Sequence, residues 1–207
     1  GSYVEIIKHL IDGESVNVLF ESREVETRAC EQMRKAGINL KSISRYRIRT
    51  DRSWIRDCGP IFIARPKHLS ESGIAVTDWR FNGWARYRTW QYDNLVPKKI
   101  ARRLKRTCFE VRQRTASRSL PVVLEGGSID VNGHGLLLTT EECLLSTQQA
   151  RNPKLSCAEI EQSLCDYLNV RHVCWLDQGI LGDDTHGHGD DVARFVAPDV
   201  IVAASEN

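Results

Sequence analysis

Asp184-Thr185-His186-Gly187-His188-Gly189-Asp190-Asp191 is the stretch on which the reading of this chain turns. Its eight residues hold two imidazoles and three carboxylates, and its two glycines let backbone come close to a ligand. Val192-Ala193-Arg194-Phe195-Val196 follows at once and reads as a strand. Polar clusters at the mouth of an apolar run are where catalytic groups or metal ligands gather. On a strand, residues two apart share a face, so His188 and Asp190 are expected to point into one cavity.

Two earlier stretches share this layout: Trp54-Ile55-Arg56-Asp57-Cys58-Gly59-Pro60 and Leu124-Glu125-Gly126-Gly127-Ser128. Asp57 and Glu125 lie 68 positions apart, and Glu125 and His188 lie 63 apart. The elements between them recur in the same order. Apolar spacing predicts helices over 3–11, 24–36, 95–108 and from Ser156, where Ser156 and Glu159 form a capping box. Strands are expected over 16–20, 38–48, 61–64, 73–81, 122–124, 170–176 and 200–202. The segments 61–64 and 73–81 are expected to be joined by a polar loop, and 129–131 to pair with 136–139 across Asn132-Gly133. The pattern is an α/β repeat of helix, strand, acidic motif and hairpin. Units circling an axis would set the three polar motifs side by side.

With 207 residues, the chain suffices for one well-buried domain or two small ones. Gly1-Ser2 is set aside as an expression scar. No apolar run reaches the roughly 18–20 residues needed to span a bilayer, and no signal-peptide pattern opens the chain. A net charge of +2, from 29 basic and 27 acidic residues, gives no global reason to expect a polyanionic partner. Seven scattered cysteines with no C-x-x-C pair point to reduced thiols in a cytoplasm.

Each motif also has a plainer reading. G-H-G-D before a strand serves equally as a polar turn, and His186, His188 and Asp190 also suit a metal. Arg56-Asp57 is compatible with a surface ion pair, but Trp54 and Gly59-Pro60 make it a rigid, aromatic-flanked turn. Glu125-Gly126-Gly127 alone is ordinary turn chemistry. The segment from Arg86 to Arg118 is rich in Arg and Lys, with Trp84, Tyr87, Trp90 and Tyr92 nearby, and raises nucleic-acid binding as a rival. Its helix keeps an apolar stripe, which makes the basic residues its solvated face.

Taken together, the motifs resemble the agmatine deiminases and bacterial peptidylarginine deiminases of the guanidino-group-modifying (pentein) superfamily. The resemblance rests on Ser53 to Pro60, Asp78-Trp79-Arg80-Phe81-Asn82-Gly83-Trp84, Leu124 to Ile129, Leu138 to Leu144, Arg151-Asn152-Pro153, and Gly182 to Asp190 with Arg194-Phe195. It implies a pentein-type α/β propeller, with 1–207 forming one incomplete domain of about three of the five units. It implies that Asp57 and Asp190 grip a guanidinium, that His188 is the acid–base, and that Glu125 supports His188 or faces the guanidinium. Trp54 and Arg194 join Asp57 and Asp190 as substrate-binding residues. The implied reaction is hydrolysis of agmatine to N-carbamoylputrescine and ammonia, on a route to putrescine. Free or peptidyl arginine is the alternative substrate, and a non-catalytic guanidine-binding module the alternative role. No metal or organic cofactor, nucleic acid or membrane is implied; a homodimer is.

The family's nucleophilic cysteine lies near its C-terminus, in a Gly-Gly-rich segment ending in His-Cys, and no such segment occurs here. Cys58 is near the site in sequence but outside that context. The family's first strand is likewise expected to be absent before Tyr3. The expectation is that this polypeptide alone does not turn over substrate. Two smaller departures are His186, where the family has an acidic or small residue, and Ala85, where it commonly has glycine.

Overall fold

A computed structural model describes residues 1–65, 73–114 and 117–205. The chain divides into two compact units, Gly1–Thr50 and Asp51–Asn207. In the first, helix α1 (Ser2–Leu10) precedes strand β1 (Val16–Phe20), helix α2 (Arg23–Lys35) and strand β2 (Ile43–Arg47). β1 and β2 run parallel, Val16 opposite Ile43 and Phe20 opposite Arg47. Val4 and Ile7 of α1 and Cys30 and Met33 of α2 close over Phe20 and Ile43 as one apolar core. Ser22 accepts from the Val25 amide at 3.3 Å and caps α2. The strand expected over 38–48 is shorter, because the Asn39 side chain accepts from the Lys41 amide and draws Leu40–Ser42 into a 3₁₀ turn.

The second unit starts with a single helical turn, α3 (Ile55–Cys58), and strands β3 (Ile61–Ala64) and β4 (Ile74–Asp78). The polar loop expected between those strands falls largely on 66–72, outside the described residues. Helix α4 (Val96–Arg103) leads to short strands β5 (Cys108–Glu110), β6 (Arg112–Arg114) and β7 (Ser119–Pro121). α4 ends five residues before the expected 108, because Lys105 adopts φ +53° and the Arg106 amide turns back to the Ala101 carbonyl at 2.8 Å. Cys108 belongs instead to β5, opposite Val76. Strands β8 (Asp130–Val131) and β9 (Leu136–Thr140), helices α5 (Glu141–Leu145) and α6 (Cys157–Leu168), and strands β10 (His172–Leu176), β11 (Ala193–Ala197) and β12 (Val200–Ala203) complete it. The capping box at Ser156 and Glu159 is present on both sides.

The expected repeat is visible in the strand pairing. β4 lies between antiparallel β3 and parallel β5, and β9 lies between antiparallel β8 and parallel β10. The expected hairpin of 129–131 with 136–139 is present, as β8 paired antiparallel with β9. Its turn is four residues long, with positive φ at Gly133 and Gly135, and the Asn132 carboxamide accepts from the amides of His134 and Leu136. Leu137, Val122, Leu124, Ile160 and Leu164 form the core beneath the second sheet. The segment 122–124 joins no sheet. Its backbone bridges to Arg80, and the Asn152 carboxamide bonds both the amide and the carbonyl of Val123, at 2.8 and 2.9 Å. A side chain thereby substitutes for a neighbouring strand and sets where Glu125 emerges.

Candidate active site

His188, Asp57, Glu125 and Asp190 converge on one point of the second unit. His188 Nδ1 lies 3.8 Å from Asp57 Oδ1 and 3.8 Å from Asp190 Oδ1, and its Nε2 lies 3.8 Å from Glu125 Oε2. The imidazole is 3% exposed and Glu125 is fully buried. These separations exceed hydrogen-bond reach, so the ring is held by packing and charge.

Asp57 is delivered by α3. Trp84 Nε1 donates to its Oδ2 at 3.2 Å, and the Gly127 amide donates to its Oδ1 at 3.2 Å. Trp84 in turn sits edge-on to Phe81, in a run where Gly83, Trp84 and Ala85 all have positive φ. Gly126 and Gly127 are required by closeness rather than by turn geometry. A Cβ on Gly127 would lie 2.6 Å from both Asp57 Oδ1 and His188 Nδ1, and one on Gly126 would lie 2.2 Å from the Arg56 carbonyl oxygen. The Asp183 carboxylate organises the His188 loop. It accepts from Thr185, through both amide and hydroxyl, and from the Gly187 and His188 amides at 3.2 and 3.4 Å.

Arg151 is the part of the site that sequence spacing left without a role. Its side chain is fully buried; Nε donates to Glu125 Oε1 at 3.3 Å, Nη1 to the Gln149 carbonyl at 3.2 Å, and Nη2 to the Thr185 carbonyl. Arg151-Asn152-Pro153 is conspicuous in sequence only as a motif, because two of its three partners, Glu125 and Thr185, are remote along the chain.

The electrostatics follow from this packing. Burial pushes the Asp57 carboxyl up to about 6; nearby His188 pulls it down, and Glu125 and Asp190 push it further up. Burial disfavours the charged form of His188, yet Glu125, then Asp57 and Asp190, outweigh it and raise the imidazole above its ordinary value. Burial also opposes ionisation of Glu125, but His188 and Arg151 hold it below the usual carboxylate range. The site therefore favours an imidazolium beside ionised Glu125, with Asp57 poised to change charge.

In front of His188 lies a cavity of about 400 Å³ bordered by Trp54, Trp84 and Tyr87. Five aspartates (57, 183, 184, 190 and 191) line it against two arginines (52 and 56), so it suits a cation. Glu125 does not line it, which leaves Glu125 behind the imidazole rather than facing a ligand. Trp54 lies at the rim, 63% exposed. Arg194 stands apart: it is on β11, pairs with Asp130 at 3.3 Å, and does not line the cavity. No cysteine lines it either. Cys58 is the buried last residue of α3 and donates to the Trp54 carbonyl at 3.3 Å. Burial, then Asp93 and Asp57, push its thiol up to about 12.

The metal set His186, His188 and Asp190 is not assembled. His186, at φ +64°, turns its Nδ1 to Glu142 at 3.4 Å and its Nε2 to the Ser146 hydroxyl at 3.2 Å. Glu125, Cys143 and His188 do bring one donor atom each within 4.8 Å of one another. They fit a cation poorly, because Arg151 already neutralises Glu125 and burial, then Glu125, keep the Cys143 thiol protonated. Part of the basic segment is committed elsewhere. Lys98 pairs with Asp78 and Glu110, Arg112 with Glu110, Arg118 with Glu159, and Trp84 is buried on Asp57.

The sequence matches the Porphyromonas-type peptidyl-arginine deiminase family over residues 1–207. It is 39% identical over 175 residues to the agmatine deiminase of Pseudomonas aeruginosa, spanning 82% of this chain and 44% of that relative. Among solved structures, the agmatine deiminase of Enterococcus faecalis, described as catalysing its reaction, superposes with a TM-score of 0.78 at 37% identity. That match covers 97% of this chain and 51% of the other. A substrate-bound cysteine-to-serine variant of the C. jejuni agmatine deiminase superposes with a TM-score of 0.79 at 27% identity, over 98% of this chain and 54% of the other. The chain thus spans about half the length of the proteins it matches, and shares their α/β fold. It belongs to the Porphyromonas-type peptidyl-arginine deiminase family.

Proposed function

We propose that this chain carries the guanidinium-holding and acid–base part of an agmatine deiminase, a hydrolase that cleaves a guanidinium C–N bond. The observation that carries the reading is the grouping of Asp57 and Asp190, each 3.8 Å from Nδ1 of a buried imidazole, with all three residues lining an acidic cavity. A guanidinium is planar, cationic and donor-only, so two carboxylates accepting its N–H groups both bind and orient it. Holding that charge keeps its carbon electrophilic.

In the reaction, a cysteine thiolate attacks this carbon and a C–S bond forms. The C–N bond then breaks as His188 gives its proton to the departing nitrogen, which leaves as ammonia. His188 next takes a proton from water. The resulting hydroxide attacks the same carbon, the C–S bond breaks, and the thiolate departs from a ureido product. The raised pKa of His188 suits the first proton transfer, since it favours the protonated ring. Cys58 and Cys143 are poor candidates for the thiolate, because burial and neighbouring carboxylates hold both thiols protonated. The nucleophile in this reading is a cysteine other than the seven here.

The excess of aspartate along the cavity wall favours agmatine, which carries a second cation at its far end, over arginine, which carries a carboxylate there. Isothermal titration tests the reading. Agmatine is expected to bind, putrescine, which lacks the guanidinium, to bind at least tenfold more weakly, and Asp190→Asn to weaken agmatine by a similar factor. Equal affinity of the wild-type chain and Asp190→Asn for agmatine would overturn the clamp.

A further inference from the structure

The first unit has a concave surface of its own. A cleft of about 440 Å³ opens between α2 and β2. Arg23 and Arg34 project into it from α2, on the helical face that also carries Thr27 and Cys30, and Arg45 and Arg47 project from β2, two residues apart and so on one face of the strand. Glu26 is the one acidic residue in the lining. It is already engaged, at 3.4 Å by Arg45 and at 3.3 Å by Arg47. Arg23 and Arg34 form no side-chain hydrogen bond or ion pair among the described residues.

A solvated basic helix face would spread its charges outward along one element. Here four guanidinium groups from two elements gather round one concavity, with a single carboxylate among them. Their mutual repulsion is relieved by an anion of more than one charge, and the planar guanidinium fork fits phosphate oxygens two at a time. No aromatic side chain lines the cleft, so it offers no stacking surface for a nucleic-acid base. Its volume suits a small molecule rather than a polymer track. We infer that this cleft is a binding site for a small oligophosphate. The site lies wholly within the first unit and is independent of the agmatine reading.

The test is calorimetric titration of the 207-residue chain with inorganic pyrophosphate at fixed ionic strength, with sulfate at matched ionic strength as the comparison. Pyrophosphate is expected to bind at least tenfold more tightly than sulfate. Arg34→Gln is expected to weaken pyrophosphate at least tenfold. Arg28→Gln removes the same charge from α2 outside the cleft, and is expected to leave the affinity within twofold. Glu26→Gln frees Arg45 and Arg47 and is expected to tighten binding several-fold, an effect that loss of a merely structural ion pair would not produce. No pyrophosphate binding, equal binding of sulfate, or equal losses from Arg34→Gln and Arg28→Gln would each overturn the assignment.

Discussion

Asp57 shows how one side chain couples the fold to the chemistry. Burial lifts its pKa from 3.8 to about 6, so below that pH it is neutral and accepts a guanidinium poorly. His188 titrates in the same sense, because its raised pKa keeps a repelling imidazolium in place until the pH climbs past it. Agmatine affinity is therefore expected to fall as pH drops, through Asp57 near pH 6 and through His188 above its ordinary 6.5, by at most about tenfold per unit per proton taken up. Titrations at pH 5 and pH 8 check this; equal affinities would contradict it. Arg151 predicts a stability effect. Its removal leaves Glu125 buried without a cation, so Arg151→Met is expected to destabilise the fold by about 3–5 kcal/mol, with Arg151→Lys recovering part of the loss in denaturant unfolding.

Among the elements, the short 3₁₀ turn Gly126–Ser128 brings the pieces closest together. The amide of Gly127 reaches Asp57, and space for a Cβ there is taken by Asp57 and His188. Gly127→Ala is therefore expected to weaken agmatine binding at least tenfold while the circular dichroism spectrum stays native; an unchanged affinity would contradict the packing. Local pattern made most elements legible: α2 and α6 through apolar spacing and capping, and the β8–β9 hairpin through its Asn-Gly signal. It also made His188, Asp57, Glu125 and Asp190 legible as a group, through their recurrence and resemblance. What it did not convey was contact between distant residues. Nothing local reveals that Asn152 completes the backbone pairing of Val123, that Trp84 anchors Asp57, or that Arg194 is occupied by Asp130. The end of α4 was missed for another reason: Lys105 enters the left-handed region without being a glycine.

For the whole molecule, the matches cover nearly all of this chain but only about half of each solved relative. The expectation of binding without turnover follows from the cysteines themselves, since none lines the cavity. Agmatine incubated with the 207-residue chain is expected to release no ammonia above the buffer rate, although it binds. Sustained release would mean that one of the seven thiols serves as the nucleophile. Among the described residues, no helix is long and apolar enough to cross a membrane.

The most direct measurement is a crystal structure of the chain with agmatine. The guanidinium is predicted between Asp57 and Asp190, its N–H groups bonded to both carboxylates and its carbon over the His188 ring. Agmatine seated by its amine at these carboxylates, or bound away from His188, would contradict the account.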